Sequence, residues 1–201
     1  MRLNPIPVIG VIGAIGAGKS TASAALAVHG GRVIDADRLG HRALELPAVK
    51  QKLAARWGER ILKADGTIDR RAIAGIVFES EAERKALEAI VYPPIGSMAE
   101  AEIAKAAADP EVRFIVLDAS MLLEAEWQGY CDKILYVDAP REVRLARLAA
   151  RSGWSSEELA RREAAQWPAE KKQQFADAVV MNDGSPERLQ QQIDDLVKVW
   201  Q

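Results

Sequence analysis

The sequence predicts an α/β fold, a five-stranded parallel sheet flanked by helices on both faces. Three observations carry this reading. Short apolar, β-branched segments alternate along the chain with helical stretches. The first of them, Ile6 to Ile12, runs straight into a glycine-rich turn and an alanine-rich helix. The other four each end at an acidic or amide residue. Crossovers in such a sheet are right-handed and ligands sit outside the carboxyl ends of its strands, which places Gly13, Asp35, Asp118, Asp138 and Asn182 near one rim.

The turn after the first strand reads Gly13-Ala14-Ile15-Gly16-Ala17-Gly18-Lys19-Ser20. Its glycines free backbone N–H groups to wrap a phosphate chain, and the following helix adds the positive end of its dipole. Lys19 can reach the outer phosphates, and Ser20 can offer its hydroxyl to Mg²⁺. A plain glycine turn between strand and helix is the alternative, but the spacing, the strand before, the helix after and the additional Gly16 together fit nucleotide binding.

The first helix stops near Gly30-Gly31, and a short strand, Arg32 to Ile34, leads into Asp35-Ala36-Asp37. Either aspartate can cap a helix. Either can also orient a phosphoryl-acceptor hydroxyl and take its proton. His41 follows closely enough to face the same cleft, whereas His29, in the last turn of its helix, is explained by the helix dipole. The third strand, Phe114 to Leu117, ends at Asp118, a position suited to holding Mg²⁺ through water, although a strand-end aspartate alone has little specificity. Ile134 to Val137, followed by Asp138, and Ala178 to Met181, before Asn182-Asp183-Gly184, complete the sheet.

Between the second and third strands lies an excursion, Leu39 to Glu111, that reads as helical. Pro47 to Trp57 is a helix, Asp65-Gly66 a turn, and Asp69 caps a helix running to Phe78. Ser80 with Glu83 has the spacing of a capping box. Tyr92-Pro93-Pro94 is expected to break that helix, with Pro94 opening another from Ile95 to Ala108. An insertion here is a plausible place for a second substrate, and simple covering of the core explains any one of its helices equally well.

After Pro140-Arg141, Arg144, Arg147 and Arg151 recur at three- and four-residue spacing and share one helical face. They read either as a solvated face paired with glutamates or as the charged face of a lid. Ser152-Gly153-Trp154-Ser155 resembles a hinge before a helix from Glu157 to Gln166. A closing lid with arginines would exclude water and supply the charge that phosphoryl transfer requires.

At 201 residues the chain is sized for one α/β domain with an insertion. A net charge of −2 gives no electrostatic reason to expect nucleic acid. The single cysteine, Cys131, excludes an internal disulfide framework, reads as a small packing residue and suits a reducing cytosol. Only Arg2 precedes the apolar run at the amino terminus, and that run ends in the phosphate loop, which argues against a signal peptide. No apolar stretch approaches the roughly 20 residues of a membrane span. A soluble, cytoplasmic protein is expected.

Taken together these residues resemble the dephospho-coenzyme A kinase family over nearly the whole chain. The resemblance rests on Gly13 to Thr21, Val33-Ile34-Asp35-Ala36-Asp37, and Asp65-Gly66-Thr67-Ile68-Asp69-Arg70 with Val77-Phe78. It extends through Asp118 to Glu124, Val137-Asp138, Arg151, Gln166, and Ala176-Asp177 leading to Asn182-Asp183-Gly184. The aspartate pair and the carboxyl-terminal block are far more selective than the phosphate loop.

The resemblance implies a P-loop kinase fold in three parts: a nucleotide-binding core (1–38, 112–139, 176–201), a helical acceptor-binding insertion (39–111) and a helical lid (140–175). ATP, with Mg²⁺, would lie over Gly13, Ala14, Ile15, Gly16, Ala17, Gly18, Lys19, Ser20 and Thr21, with Asn182 and Gly184 by the adenine. Asp37 corresponds to the general base, with Asp35 beside it and near Mg²⁺ through water. Lys19 would act on the transferred phosphate, and Arg147 and Arg151 would close over the phosphates. Asp35, Asp37, His41 and Arg70 would contact dephospho-CoA. The chain departs from the family pattern at Tyr92, where histidine is usual, and at Ser120, where proline is usual. A monomer or weak homo-oligomer is expected. A kinase of another small acceptor, or a nucleotide-dependent switch, remains the alternative.

Overall fold

A computed structural model describes residues 6–200; Arg2, which bears on the reading of the amino terminus, lies outside them. Five strands, β1 (Val8–Gly13), β2 (Gly31–Asp35), β3 (Phe114–Asp118), β4 (Lys133–Asp138) and β5 (Ala178–Met181), form one sheet in the order β2-β3-β1-β4-β5. Every pairing is parallel. Each strand falls within two residues of its expected place. Their order is new information: the chain winds to one side of β1 through β3 and β2 and to the other through β4 and β5. The carboxyl end of β1 is therefore the switch point where such sheets bind ligands.

β1 is buried along its whole length, as a central strand covered on both faces must be. On one face, Ile9, Val11, Val116, Leu135 and Val137 pack with Leu26 of α1 (Lys19–Ala27) and with Leu189, Ile193 and Val197 of α9 (Pro186–Trp200). Side chains of this size contribute about 1.5–3 kcal/mol each when fully buried. Gly10 permits a close approach: a Cβ there would stand 2.7 Å from the Cys131 Sγ and 2.9 Å from a methyl of Leu122. Just beyond α1, His29 Nε2 meets Asp194 Oδ1 of α9 at 2.8 Å. The histidine thus has a carboxylate partner besides the dipole of its own helix. Gln190 and then His29 hold the Asp194 carboxyl below the usual carboxylate range.

The chain forms two compact units, Met1–Asp35 with Glu102–Gln201, and Ala36–Ala101. The second is helical: α2 (Ala36–Leu44), α3 (Pro47–Trp57), α4 (Arg70–Glu79) and most of α5 (Glu81–Ala107). Its tight turn has Gly66 at φ 76° and Asp65 Oδ1 accepting from both Thr67 N (2.9 Å) and Thr67 Oγ1 (2.6 Å). These bonds lower the Asp65 carboxyl below its ordinary value. Asp69 caps α4 as expected, accepting from the amides of Arg71 and Ala72.

Two expectations are corrected here. Ser80 accepts from the Glu83 amide at 3.3 Å, but the Glu83 carboxylate does not complete a capping box. It turns instead to Arg56 and to Trp57 Nε1, both at 2.7 Å, because a guanidinium and an indole N–H outcompete one backbone donor. Second, Pro93 and Pro94 do not end a helix: α5 runs through both. Each interior proline costs about 3 kcal/mol. Val91, Ile95, Ala99 and Ile103 bury a stripe spaced four residues apart, and its three larger side chains contribute about 1.5–3 kcal/mol each. The stripe is of the size needed to carry the helix past the prolines.

Beyond β4 lie α6 (Arg141–Ser152), α7 (Ser156–Glu163) and α8 (Ala169–Gln173). Gly153, at φ 67°, ends α6, and Ser155 caps α7 by accepting from the Glu158 amide. α7 stops three residues short of the expected Gln166, and α8 is too short to show a periodicity in sequence. Arg141 donates to Ser156 Oγ and O at 3.3 Å, and the Arg162 guanidinium stacks 4.3 Å from the Trp154 ring centre, so the turn between α6 and α7 is bridged from both sides.

Candidate active site

The loop after β1 needs its glycines. Gly13, Gly16 and Gly18 all have positive φ, at 153°, 79° and 93°, and a side chain at Gly13 or Gly18 would collide with the Val137 carbonyl or the Asn182 amide. Lys19, half-buried, opens α1 from Gly18, followed by exposed Ser20 and Thr21.

What holds the loop is a set of bonds to its carbonyls. Asn182, buried directly after β5, donates through Nδ2 to the Ala17 carbonyl at 2.8 Å, and its own amide donates to Asp138 O at 2.7 Å. Arg147 donates to Ala17 O at 3.5 Å and to Asn182 Oδ1 at 3.3 Å. Arg144, only 8% exposed, donates to Ile15 O at 3.0 Å and Ala139 O at 3.1 Å, and its guanidinium meets Glu163 Oε1 at 2.5 Å. With the carbonyls of Ile15 and Ala17 tied to protein donors, they are kept from facing a bound anion, as an anion nest requires.

The arginines of α6 are therefore not equivalent. Arg144 and Arg147 hold loop backbone, while Arg151 is exposed in the last turn. Sequence spacing put all three on one face but could not reveal that the amino-terminal end of that face is buried.

Asp35 and Asp118 end adjacent strands and are register partners, and Asp118 is also aligned with Val11 of β1. Asp118 Oδ2 accepts from the buried Ser23 Oγ at 3.1 Å. Beside Ala14 and Ile15 opens a cavity of about 250 Å³, whose wall includes Arg144, Glu163, Gln166 and Lys172. Gly184 is exposed two residues past Asn182, after Asp183, which is paired with Arg188 at 3.0 Å.

The remaining candidates belong to the second unit. Asp37 and His41 are exposed one turn apart on α2, and Arg70 is exposed in the first turn of α4. Cys131 carries no reactive signature: burial, and then the Asp132 charge, push its thiol up to about 12, as fits the packing role read from the sequence. Sequence reasoning passed over Glu163 and Lys172, which stand in charged runs typical of solvated helices, and took in Glu124 only as the end of the Asp118 to Glu124 match, with no role read for it.

A parallel sheet wound in this order, with a glycine-rich loop at its switch point clamped through its carbonyls, defines a P-loop phosphotransferase. A shikimate kinase from Acinetobacter baumannii has the same fold, with a TM-score of 0.52 at 16% identity over 98% of this chain and 95% of that one. A Thermus thermophilus crystal structure is similar with a TM-score of 0.83 and 37% identity, covering 98% of this chain and 99% of its own. Within that class, the chain belongs to the dephospho-CoA kinase family, whose model matches residues 7–187. It is 38% identical over 194 residues to the dephospho-CoA kinase of Geobacillus kaustophilus, covering 96% of both chains. The corresponding enzyme of Acinetobacter baylyi is 36% identical over 92% of this chain and 94% of its own.

Proposed function

We propose that this kinase transfers the terminal phosphoryl group of ATP to the ribose 3′-hydroxyl of dephospho-CoA, giving coenzyme A and ADP. The observation that carries the reading is the phosphate loop with its carbonyls tied back, set in a chain that matches the family on both sides of the excursion. Gly13 to Thr21 hold the triphosphate, with Lys19 on the outer phosphates and the transferred group. Asp37 orients the acceptor hydroxyl and takes its proton, supported by Asp35. Arg147 and Arg151 face the phosphates, and Arg144 keeps the loop in shape.

The core is 1–38, 112–139 and 176–201, the acceptor part 39–111 and the lid 140–175; the compact unit Ala36–Ala101 supports the second assignment. His41 and Arg70 are assigned to the acceptor. Both polar ends of the Asn182 side chain are engaged within the protein, so its part in adenine binding is to shape the loop, and Gly184 offers exposed backbone nearby.

Mg²⁺ fits the donors present. The Ser20 hydroxyl is exposed at the start of α1, and Asp118 and Asp35 stand at neighbouring strand ends. Among the described residues no cluster of three or more His, Cys, Asp or Glu could hold a metal by itself, which suits an ion bound largely by phosphates and water. When bound it neutralises phosphate charge.

Among the described residues no helix is long and apolar enough to cross a membrane. We place the activity in the cytoplasm, in a monomer or weak homo-oligomer that handles small molecules.

The test is incubation with Mg-ATP and dephospho-CoA, adenosine, AMP or a nucleoside, with mass detection of product. Dephospho-CoA should gain one phosphoryl group far faster than the others. Comparable rates across the panel would overturn the acceptor, and slow hydrolysis indifferent to every acceptor would indicate a switch protein.

A further inference from the structure

Lys172 lies in the run Glu170-Lys171-Lys172, whose composition belongs on a solvated surface, yet its side chain is only 2% exposed. All three ammonium donors are engaged: Glu124 Oε1 at 2.8 Å, Ser120 O at 3.2 Å and Gln166 Oε1 at 3.2 Å. Glu124, with a side chain 9% exposed, also accepts from the Trp167 amide at 2.9 Å. The pair thus joins the loop after β3, at Ser120 and Glu124, to Gln166 and Trp167 between α7 and α8. That segment follows directly on Glu163, the last residue of α7, whose carboxylate holds Arg144 on Ile15 O of the phosphate loop.

Burial of such a pair is not explained by stability. Taking both charges out of water costs about as much as their attraction returns, and apolar residues of similar volume serve as well or better. Here the cost is raised further, because Glu124 Oε2 is buried with no hydrogen-bond partner among the described residues. What the ion pair offers over packing is direction: hydrogen bonds from one ammonium fix three segments at set angles, and Gln166 and Lys172 share a cavity wall with Ala14, Ile15 and Arg144.

We propose that Lys172 and Glu124 are positioning residues for phosphoryl transfer, fixing the 163–172 segment so that Glu163 holds Arg144 against the phosphate loop. This rests on the kinase reading above. Neither residue touches the reacting atoms; both act through Arg144.

The experiment compares Lys172→Met, Glu124→Leu and the double variant for Tm, kcat and the KM of ATP. Each single variant leaves a buried charge or an orphaned site and should lose Tm. The double variant should recover most of the Tm while kcat stays about tenfold or more below wild type, with the KM for ATP little changed, since misplacing a reacting group by about 1 Å costs up to about a hundredfold. Recovery of both Tm and kcat in the double variant would make the pair purely structural and overturn the proposal. Should the double variant fail to fold, Gln166→Ala decides, because Gln166 is half-exposed and uncharged. A severalfold lower kcat at unchanged Tm supports the proposal, and an unchanged kcat overturns it. Ratios to wild type are taken on both acceptor-stimulated turnover and acceptor-independent ATP hydrolysis. A wild type inactive towards dephospho-CoA would therefore overturn the acceptor assignment while the positioning role is still judged by hydrolysis.

Discussion

Asn182 donates its side-chain amide to the carbonyl of Ala17 at 2.8 Å, across 165 residues of sequence, so the last strand of the sheet helps set the shape of the phosphate loop at the first. In Asn182→Ala that carbonyl keeps, among the described residues, only the long side-chain bond from Arg147, at 3.5 Å. A buried acceptor left so poorly satisfied costs about 1–3 kcal/mol. We expect a lower Tm together with a raised KM for ATP, measured by thermal melts and initial rates. An unchanged KM would mean that the loop keeps its shape without the clamp.

The arginines of α6 should rank by what they hold. Arg144→Ala unties Ile15 O and leaves Glu163 without its closest cation, so both stability and turnover should fall. Arg147→Ala should weaken turnover with the fold retained. Arg151→Ala, exposed, should lower turnover without loss of stability. Kinetics of the three at moderate salt, with melts alongside, check the order. Full activity in both Arg147→Ala and Arg151→Ala would return them to a solvated face.

Asp35 and Asp37 separate by position in the chain. Asp35 ends β2 in register with Asp118, while Asp37 lies in the first turn of α2. Asp37→Asn should lower kcat by about 10²- to 10⁴-fold, the range of general-base catalysis, with ATP binding nearly unchanged. Asp35→Asn should suffer less. The reverse ranking, read from kcat and ATP binding at saturating Mg²⁺, would exchange their roles, and no change in either would move the base elsewhere.

Cys131 provides a negative control for reactivity. With its thiol pushed up to about 12 by burial and Asp132, very little thiolate is present near neutral pH. Native protein should resist iodoacetamide at pH 7 to 8 and denatured protein should react. Rapid stoichiometric labelling of the native form with loss of activity would contradict the packing role.

How far the sequence disclosed all this depends on whether the deciding forces are local. The strands were readable because each is a short β-branched run, and the phosphate loop because glycine spacing reports directly on backbone geometry at Gly13, Gly16 and Gly18. The order β2-β3-β1-β4-β5 was not, since it is set by contacts between distant segments. Pro93-Pro94 misled because proline propensity is local and the buried stripe that overrides it is not. Lys172 and Arg144 were hidden for the same reason: charge and periodicity suggest solvent, and only the packed structure shows Glu124 and Glu163 waiting for them. Asn182 came into view through its place after the last strand, and its adenine role through the family resemblance, with its bond to Ala17 left for the structure to supply.

The most direct measurement is the position of the new phosphate. Dephospho-CoA is incubated with Mg-ATP and wild-type protein, or with Lys19→Ala, and the product is examined by ³¹P NMR coupled to the ribose protons. The account predicts a phosphomonoester on the 3′-carbon, formed by wild type and nearly absent with Lys19→Ala, whose lost charge acts on the transition state. A monoester at another position, no acceptor product, or Lys19→Ala turning over within a few-fold of wild type would contradict it.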